Sequence, residues 1–254
     1  MAASPQMSSI LKQWIPAGGA FLADLVFPPV CAGCGVRTGR NGGLCADCWT
    51  SLHFIEPPLC DVMGTPFSYD MGKGIVSAEA IAEPPPFSRL RSVVLYDDVA
   101  RSLTHRLKYK DRTELGRLMA GWMARAGREL IEDAEVIIPA PLHWRRRLAR
   151  GYNQSAELGR AVAELSGKTY LPTALMRRKN TRPQVGLGAA ARRDNLRGAF
   201  VVPDRAKPDI FGRRLLLIDD VYTTGATARA ATAVLLRDGA QDVSVLTFAR
   251  VAAG

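Results

Sequence analysis

Long apolar runs are scarce in this chain. The best candidate, Trp14 to Val30, is interrupted by Pro16, Asp24, Pro28 and Pro29, whereas a bilayer crossing needs a continuous helix of roughly 20 apolar residues. Only Lys12 precedes that stretch, a poor match to the charged head of a secretory signal, so the chain reads as cytoplasmic and without membrane insertion. Aromatics make up 7% of the residues, and the basic middle of the chain holds chiefly Tyr109, Trp144 and Tyr152. That is too few for recognition of nucleic acid mainly by base stacking, although phosphate contacts need no aromatics. There are three histidines; neither His53 nor His143 falls in a pattern that assigns it as a base or a ligand. Cysteine is limited to five, four of them in one tight cluster, which points to a metal before disulfides.

Charge is plentiful and uneven. Between Arg101 and Arg197 there are 21 Lys and Arg against 9 Asp and Glu, an excess of 12, while the whole chain carries +10. Such a field attracts polyanions, whether pyrophosphate, nucleotides or nucleic acid; a solvated arginine-rich surface is the competing reading. A length of 254 residues allows one core of about 150 residues and a small extra module.

The stretch "RLLLIDDVYTTGATARAA", Arg214 to Ala231, carries the most chemistry. Leu215 to Ile218 form an unalternated apolar block, as a strand buried on both faces requires. Asp219 and Asp220 end that strand, and Ala226 to Leu236 follow with good helix propensity. Between them lie Val221, Thr223, Thr224, Gly225, Ala226 and Thr227. No Gly-Lys-Ser/Thr follows, which excludes a Walker loop. Free N–H groups at a helix start, hydroxyls and a close-approaching glycine make a cradle for a phosphate. Two carboxylates would repel that phosphate if aimed at it, but suit the vicinal hydroxyls of an attached ribose. The loop therefore reads as a ribose 5-phosphate site, with a plain helix cap at Thr223 or Thr224 as the alternative.

"CAGCGVRTGRNGGLCADC" places Cys31, Cys34, Cys45 and Cys48 as two CxxC pairs. Four thiolates predict a closed structural Zn²⁺ site in place of the hydrophobic core so short a module lacks. A decayed copy follows. Cys60 echoes Cys31, but Met63, Ser77 and Ala80 stand where the other three thiolates would be, so one zinc is expected and Cys60 becomes a buried small hydrophobe.

After "EPPPF" at Glu83 to Phe87 the chain alternates strand and helix signals, which calls for an α/β fold with a parallel sheet flanked by helices. The expected organisation is an N-terminal helical segment (1–25), a zinc module (26–85) and the α/β domain (88–254). Ligands gather at the carboxyl ends of such strands. That rule selects "PAPLHWRRRLARGYNQ", where Pro139, Ala140 and Pro141 lead to the arginines; Arg146 and Arg150 are the choices for pyrophosphate and Asn153 for a helix cap. Whether those arginines turn inward or stay solvated is left open by spacing. The basic, irregular stretch 177–200 reads as a flexible cover that brings Lys179 and Arg192 over the ligand.

The cysteine pairs, "LKYKDR", "PAPLHWRRRLARGYNQ", "TRPQVGL", "RRDNLRGAF" and "LLLIDDVYTTGAT" together resemble the ComF family of competence-associated, phosphoribosyltransferase-like proteins. The resemblance implies a type I phosphoribosyltransferase-like fold, an N-terminal zinc module, phosphoribosyl pyrophosphate (PRPP) bound with Mg²⁺, and a part in DNA uptake and natural transformation alongside DNA-uptake proteins. It implies no acceptor base and does not decide turnover. The alternative is a competence accessory protein that binds single-stranded DNA without transferase turnover. The second cysteine group, lost here, is the departure from the family pattern.

Overall fold

The computed structural model describes residues 28–39, 43–70, 72, 74–107, 113–142, 153–178 and 198–252. Two short helices, α1 (Ala46–Thr50) and α2 (Ala78–Ala82), lie in the N-terminal module. Then come β1 (Leu90–Leu95), α3 (Asp98–Arg106), α4 (Thr113–Ala126), α5 (Arg128–Asp133), β2 (Val136–Pro139), α6 (Gln154–Ser166) and β3 (Thr169–Tyr170). After β4 (Met176–Arg177), β5 (Phe200–Val201) and α7 (Lys207–Ile210), the chain closes with β6 (Arg214–Tyr222), α8 (Ala226–Arg237) and β7 (Asp242–Arg250). Residues 1–25 of the expected N-terminal helical segment lie outside the described residues.

Five strands pair in parallel in the order β1-β7-β6-β2-β3, the α/β sheet the alternation predicts. Both faces are covered. Leu90, Val136, Leu215, Leu217, Val243 and Val245 pack toward α8, and Ile137, Leu216, Ile218, Leu246 and Phe248 pack toward α3, α4 and α6. This is why Val136–Pro139 and Leu215–Ile218 read as continuous apolar runs: both faces are buried there, so period-two alternation has nothing to express. The helical spacing of "ELGRLMAGWMARAGREL" resolves into two helices broken at Gly127. A Cβ there would stand 2.7 Å from Leu246, so the corner between α4 and α5 presses directly on the sheet.

The N-terminal module completes the sheet. Phe54 bridges antiparallel to Val94, Ile55 N–H donates to Val93 at 2.9 Å and Leu95 N–H donates to His53 at 2.9 Å. The outer edge of β1, a liability if left bare, is covered. Cys60, Met63 and Ala80 are buried in the core on the α8 face, while Ala32 and Leu52 join the opposite one. The module thus straddles the edge and supplies core residues to both layers.

Candidate functional site

Strand β6 runs three residues beyond Asp219. Strand β2 stops at Pro139, opposite Ile218, whereas β7 stays beside β6 as far as the Tyr222–Arg250 pair. Asp219 and Asp220 therefore stand half-buried in a notch beyond the end of β2. Ser155, in the first turn of α6, donates its hydroxyl to Asp219 Oδ1 at 2.8 Å, and the Asp220 N–H donates to the same oxygen at 2.9 Å. Val221 N–H donates to Asp220 Oδ1 at 2.8 Å. The bonds from Ser155 and the backbone all end on Oδ1, and the two carboxyls also interact with each other. Burial, with the neighbouring charge of Asp220 second, pushes the Asp219 carboxyl up to about 7.

The loop beyond leaves backbone donors unengaged among the described residues. Gly225 is the residue before α8, at φ 70°, and no side chain caps the helix; the threonine-cap alternative does not hold. Thr223 and Thr224 are exposed and Thr227 is half-buried. Among the described residues no group accepts from the backbone N–H of any residue from Thr223 to Thr227. Amides left free around a left-handed glycine form a concave donor surface, strengthened by the positive end of a three-turn helix. Tyr222 supports it from below: its ring lies under Gly225, meets Phe87 edge-on at 6.4 Å and carries the Arg250 guanidinium at 5.7 Å. Arg250, buried, donates to the Met63 carbonyl at 2.6 Å, so the floor of the loop is fastened to the N-terminal module.

Pro139 and Ala140 are buried and Pro141 half-buried. Ala140 N–H donates to Ile218 at 2.8 Å, and the Asn153 carboxamide donates to Ala140 at 3.2 Å. Asn153 is not the side-chain cap the sequence suggested. It ties the loop after β2 to α6, and its Oδ1 is buried without a partner among the described residues. Arg146, Arg150, Lys179 and Arg192 lie outside the described residues. Ser155 and Tyr222 touch this candidate site, and sequence reasoning missed both. The only trace of the first is its place just after "GYNQ", since a contact across 64 residues leaves no periodic signal.

The sulfurs of Cys31, Cys34, Cys45 and Cys48 all lie within 4.8 Å of one another. Cys34 and Cys45 are 3.7 Å apart, close to the edge of a tetrahedron with Zn–S bonds of about 2.3 Å. Four sulfurs without an oxygen donor fit zinc. Burial raises the Cys31 thiol, but N–H groups of Cys45, Cys34 and Gly33 outweigh it and hold the thiol at about 6, the thiolate a metal needs. Burial and the surrounding thiols push Cys48 the other way.

The second copy keeps the backbone of the first without its ligands. Gly35 N–H donates to the Cys31 carbonyl at 3.0 Å, and Gly64 N–H to Cys60 at 2.8 Å. Cys45 N–H donates to Cys31 Sγ at 3.2 Å, and Ser77 N–H to Cys60 Sγ at 3.1 Å. Ser77 caps α2 as Cys45 caps α1. Cys60 and Met63 are fully buried, so apolar packing stands where a second metal would be.

A parallel α/β protein with a cysteine ribbon across its sheet edge is the class these features define. The double zinc ribbon domain family matches residues 22–80. DNA utilization protein YhgH of Escherichia coli O157:H7 is 32% identical over 213 residues, 82% of this chain and 90% of its own. Competence protein F of Haemophilus influenzae is 28% identical over 215 residues, 83% of this chain and 91% of its own. The chain belongs to the family of these proteins, the ComF family. Among solved structures, orotate phosphoribosyltransferase from Aeropyrum pernix aligns at 14% identity and a TM-score of 0.34, covering 63% of this chain and 80% of that one. So loose a likeness adds nothing to the strand order already described. No helix among the described residues is long and apolar enough to cross a membrane.

Proposed function

We propose that the end of β6 and the start of α8 bind the ribose 5-phosphate portion of PRPP, in a phosphoribosyltransferase-like protein of the DNA-uptake machinery. The observation that carries this reading is the run of unengaged amides from Thr223 to Thr227 immediately past two half-buried carboxylates. In it, Thr223, Thr224, Gly225, Ala226 and Thr227 cradle the 5′-phosphate and Val221 lines the ribose. Asp219 and Asp220 accept from the two ribose hydroxyls. Ser155 holds Asp219 in register. Pro139, Ala140 and Pro141 shape the wall, and Arg146, Arg150, Lys179 and Arg192 neutralise pyrophosphate. Mg²⁺, entering with the ligand and held mostly by the ligand and water, would supply charge neutralisation at the pyrophosphate. If transfer occurs, these residues act by holding the sugar and stabilising the departing charge.

Calorimetry tests it. Asp219→Ala combined with Asp220→Ala abolishes PRPP binding in the presence of Mg²⁺ while the melting transition persists; an unchanged affinity refutes the assignment.

A second reading has one observation in its favour, the basic excess between Arg101 and Arg197. In it the chain grips single-stranded DNA through phosphates, in keeping with relatives named for DNA utilization and competence. A salt titration decides, because phosphate binding weakens steeply with ionic strength; no measurable affinity for oligothymidylate at low salt removes it.

A further inference from the structure

A groove of about 910 Å³ opens between the N-terminal module and the corner of α4 and α5, and no residue of β6, α6 or the Asp219 loop lines it. Its wall is aromatic. Trp49, 50% exposed, tilts against Phe54 with ring centres 5.1 Å apart, and Trp122 lies edge-on to both at 5.8 Å. Its rim is acidic. Glu56, Asp61, Asp70 and Glu132 are exposed and form no ion pair among the described residues, while Glu129 neutralises the buried Arg91 at 2.6 Å. In all, five carboxylates and three guanidiniums line the groove, on a chain whose net charge is +10. The local sign is opposite to that of the molecule.

Indole faces beside unpaired carboxylates favour one kind of guest. A guanidinium or ammonium gains attraction from the ring face and from the carboxylate together, whereas a polyanion would bring its phosphates against the acidic rim. We propose that this groove docks an extended segment of a partner protein that carries arginine or lysine. Charge complementarity selects that occupant over nucleic acid. The proposal stands apart from the ribose-phosphate reading, since the two sites share no residue.

The test uses the full, zinc-loaded chain. Hexa-arginine is titrated by calorimetry at low salt into the parent, Trp49→Ala and Glu132→Lys proteins, with hexaglutamate and a short oligothymidylate as comparators. Hexa-arginine binds the parent, and each variant weakens it about tenfold, the scale of one lost cation–π contact or one reversed charge; PRPP affinity does not change. Both altered side chains are solvent-facing, and if Trp49→Ala shifts the melting temperature, Glu132→Lys decides alone. No hexa-arginine binding, equal affinity in all three proteins, or an oligothymidylate affinity that falls with Trp49→Ala would each overturn the proposal.

Discussion

At Gly225 a side chain would meet two obstacles: a φ of 70° and the Tyr222 ring directly beneath. Only glycine adopts that backbone freely, and moving Tyr222 would disturb its contact with Arg250. Gly225→Ala is therefore expected to cost about 1–3 kcal/mol and to weaken PRPP at least tenfold, read by thermal melting and calorimetry; normal affinity would show that the loop needs no left-handed residue. Asp219 makes a different prediction. An unfolded aspartate ionises near 3.9, whereas folded Asp219 keeps its proton up to about 7. The folded state binds the extra proton between those values, so stability falls as pH rises through that window. Asp219→Asn removes the loss and retains an acceptor for Ser155. Its melting temperature should exceed the parent's at about pH 8, with the difference narrowing toward about pH 5. Zinc loss on acidification is common to both proteins and cancels in the comparison, so a gap independent of pH would sink the argument.

The two ribbon copies differ in what holds them. The first closes on four sulfurs; the second closes on buried Cys60, Met63 and Ala80, with Arg250 reaching the Met63 carbonyl. A strong chelator should expose the Gly35 and Cys45 amides to rapid hydrogen exchange and leave those of Gly64 and Ser77 protected. Equal loss of protection in both copies would mean that the second depends on the first metal. The strand Asp242–Arg250 was legible residue for residue, because Val243, Val245, Leu246, Phe248 and Ala249 supply apolar side chains to both buried faces. The cysteine spacing was equally plain, since metal geometry fixes ligand identity. The true end of β6 was not: Asp219 to Tyr222 stay paired because β7 continues beside them, and pairing with a strand twenty residues on has no local signature. Nor had the edge cover at His53 to Ile55, which depends on β1, forty residues away.

At the scale of the molecule, the sequence marks a boundary at Glu83 to Phe87, yet the packing crosses it. Arg229 of α8 donates to the carbonyls of Glu83 and Pro84 at 2.8 and 3.0 Å, and Met63 is buried among sheet residues. A chain cut to residues 88–254 exposes the β1 edge and loses core side chains worth roughly 1.5–3 kcal/mol for each large apolar residue uncovered. It should melt well below the whole protein or aggregate; an equal melting temperature would show the module to be dispensable. The strand order has one more consequence. β7, the last of the five sheet strands in chain order, sits between β1 and β6, so it is the seam of the sheet. A ribosome that releases the chain before Asp242 leaves the first strand and the three beyond the gap with no partner to join them. The sheet cannot join its two parts until β7, made after every other strand, has left the ribosome.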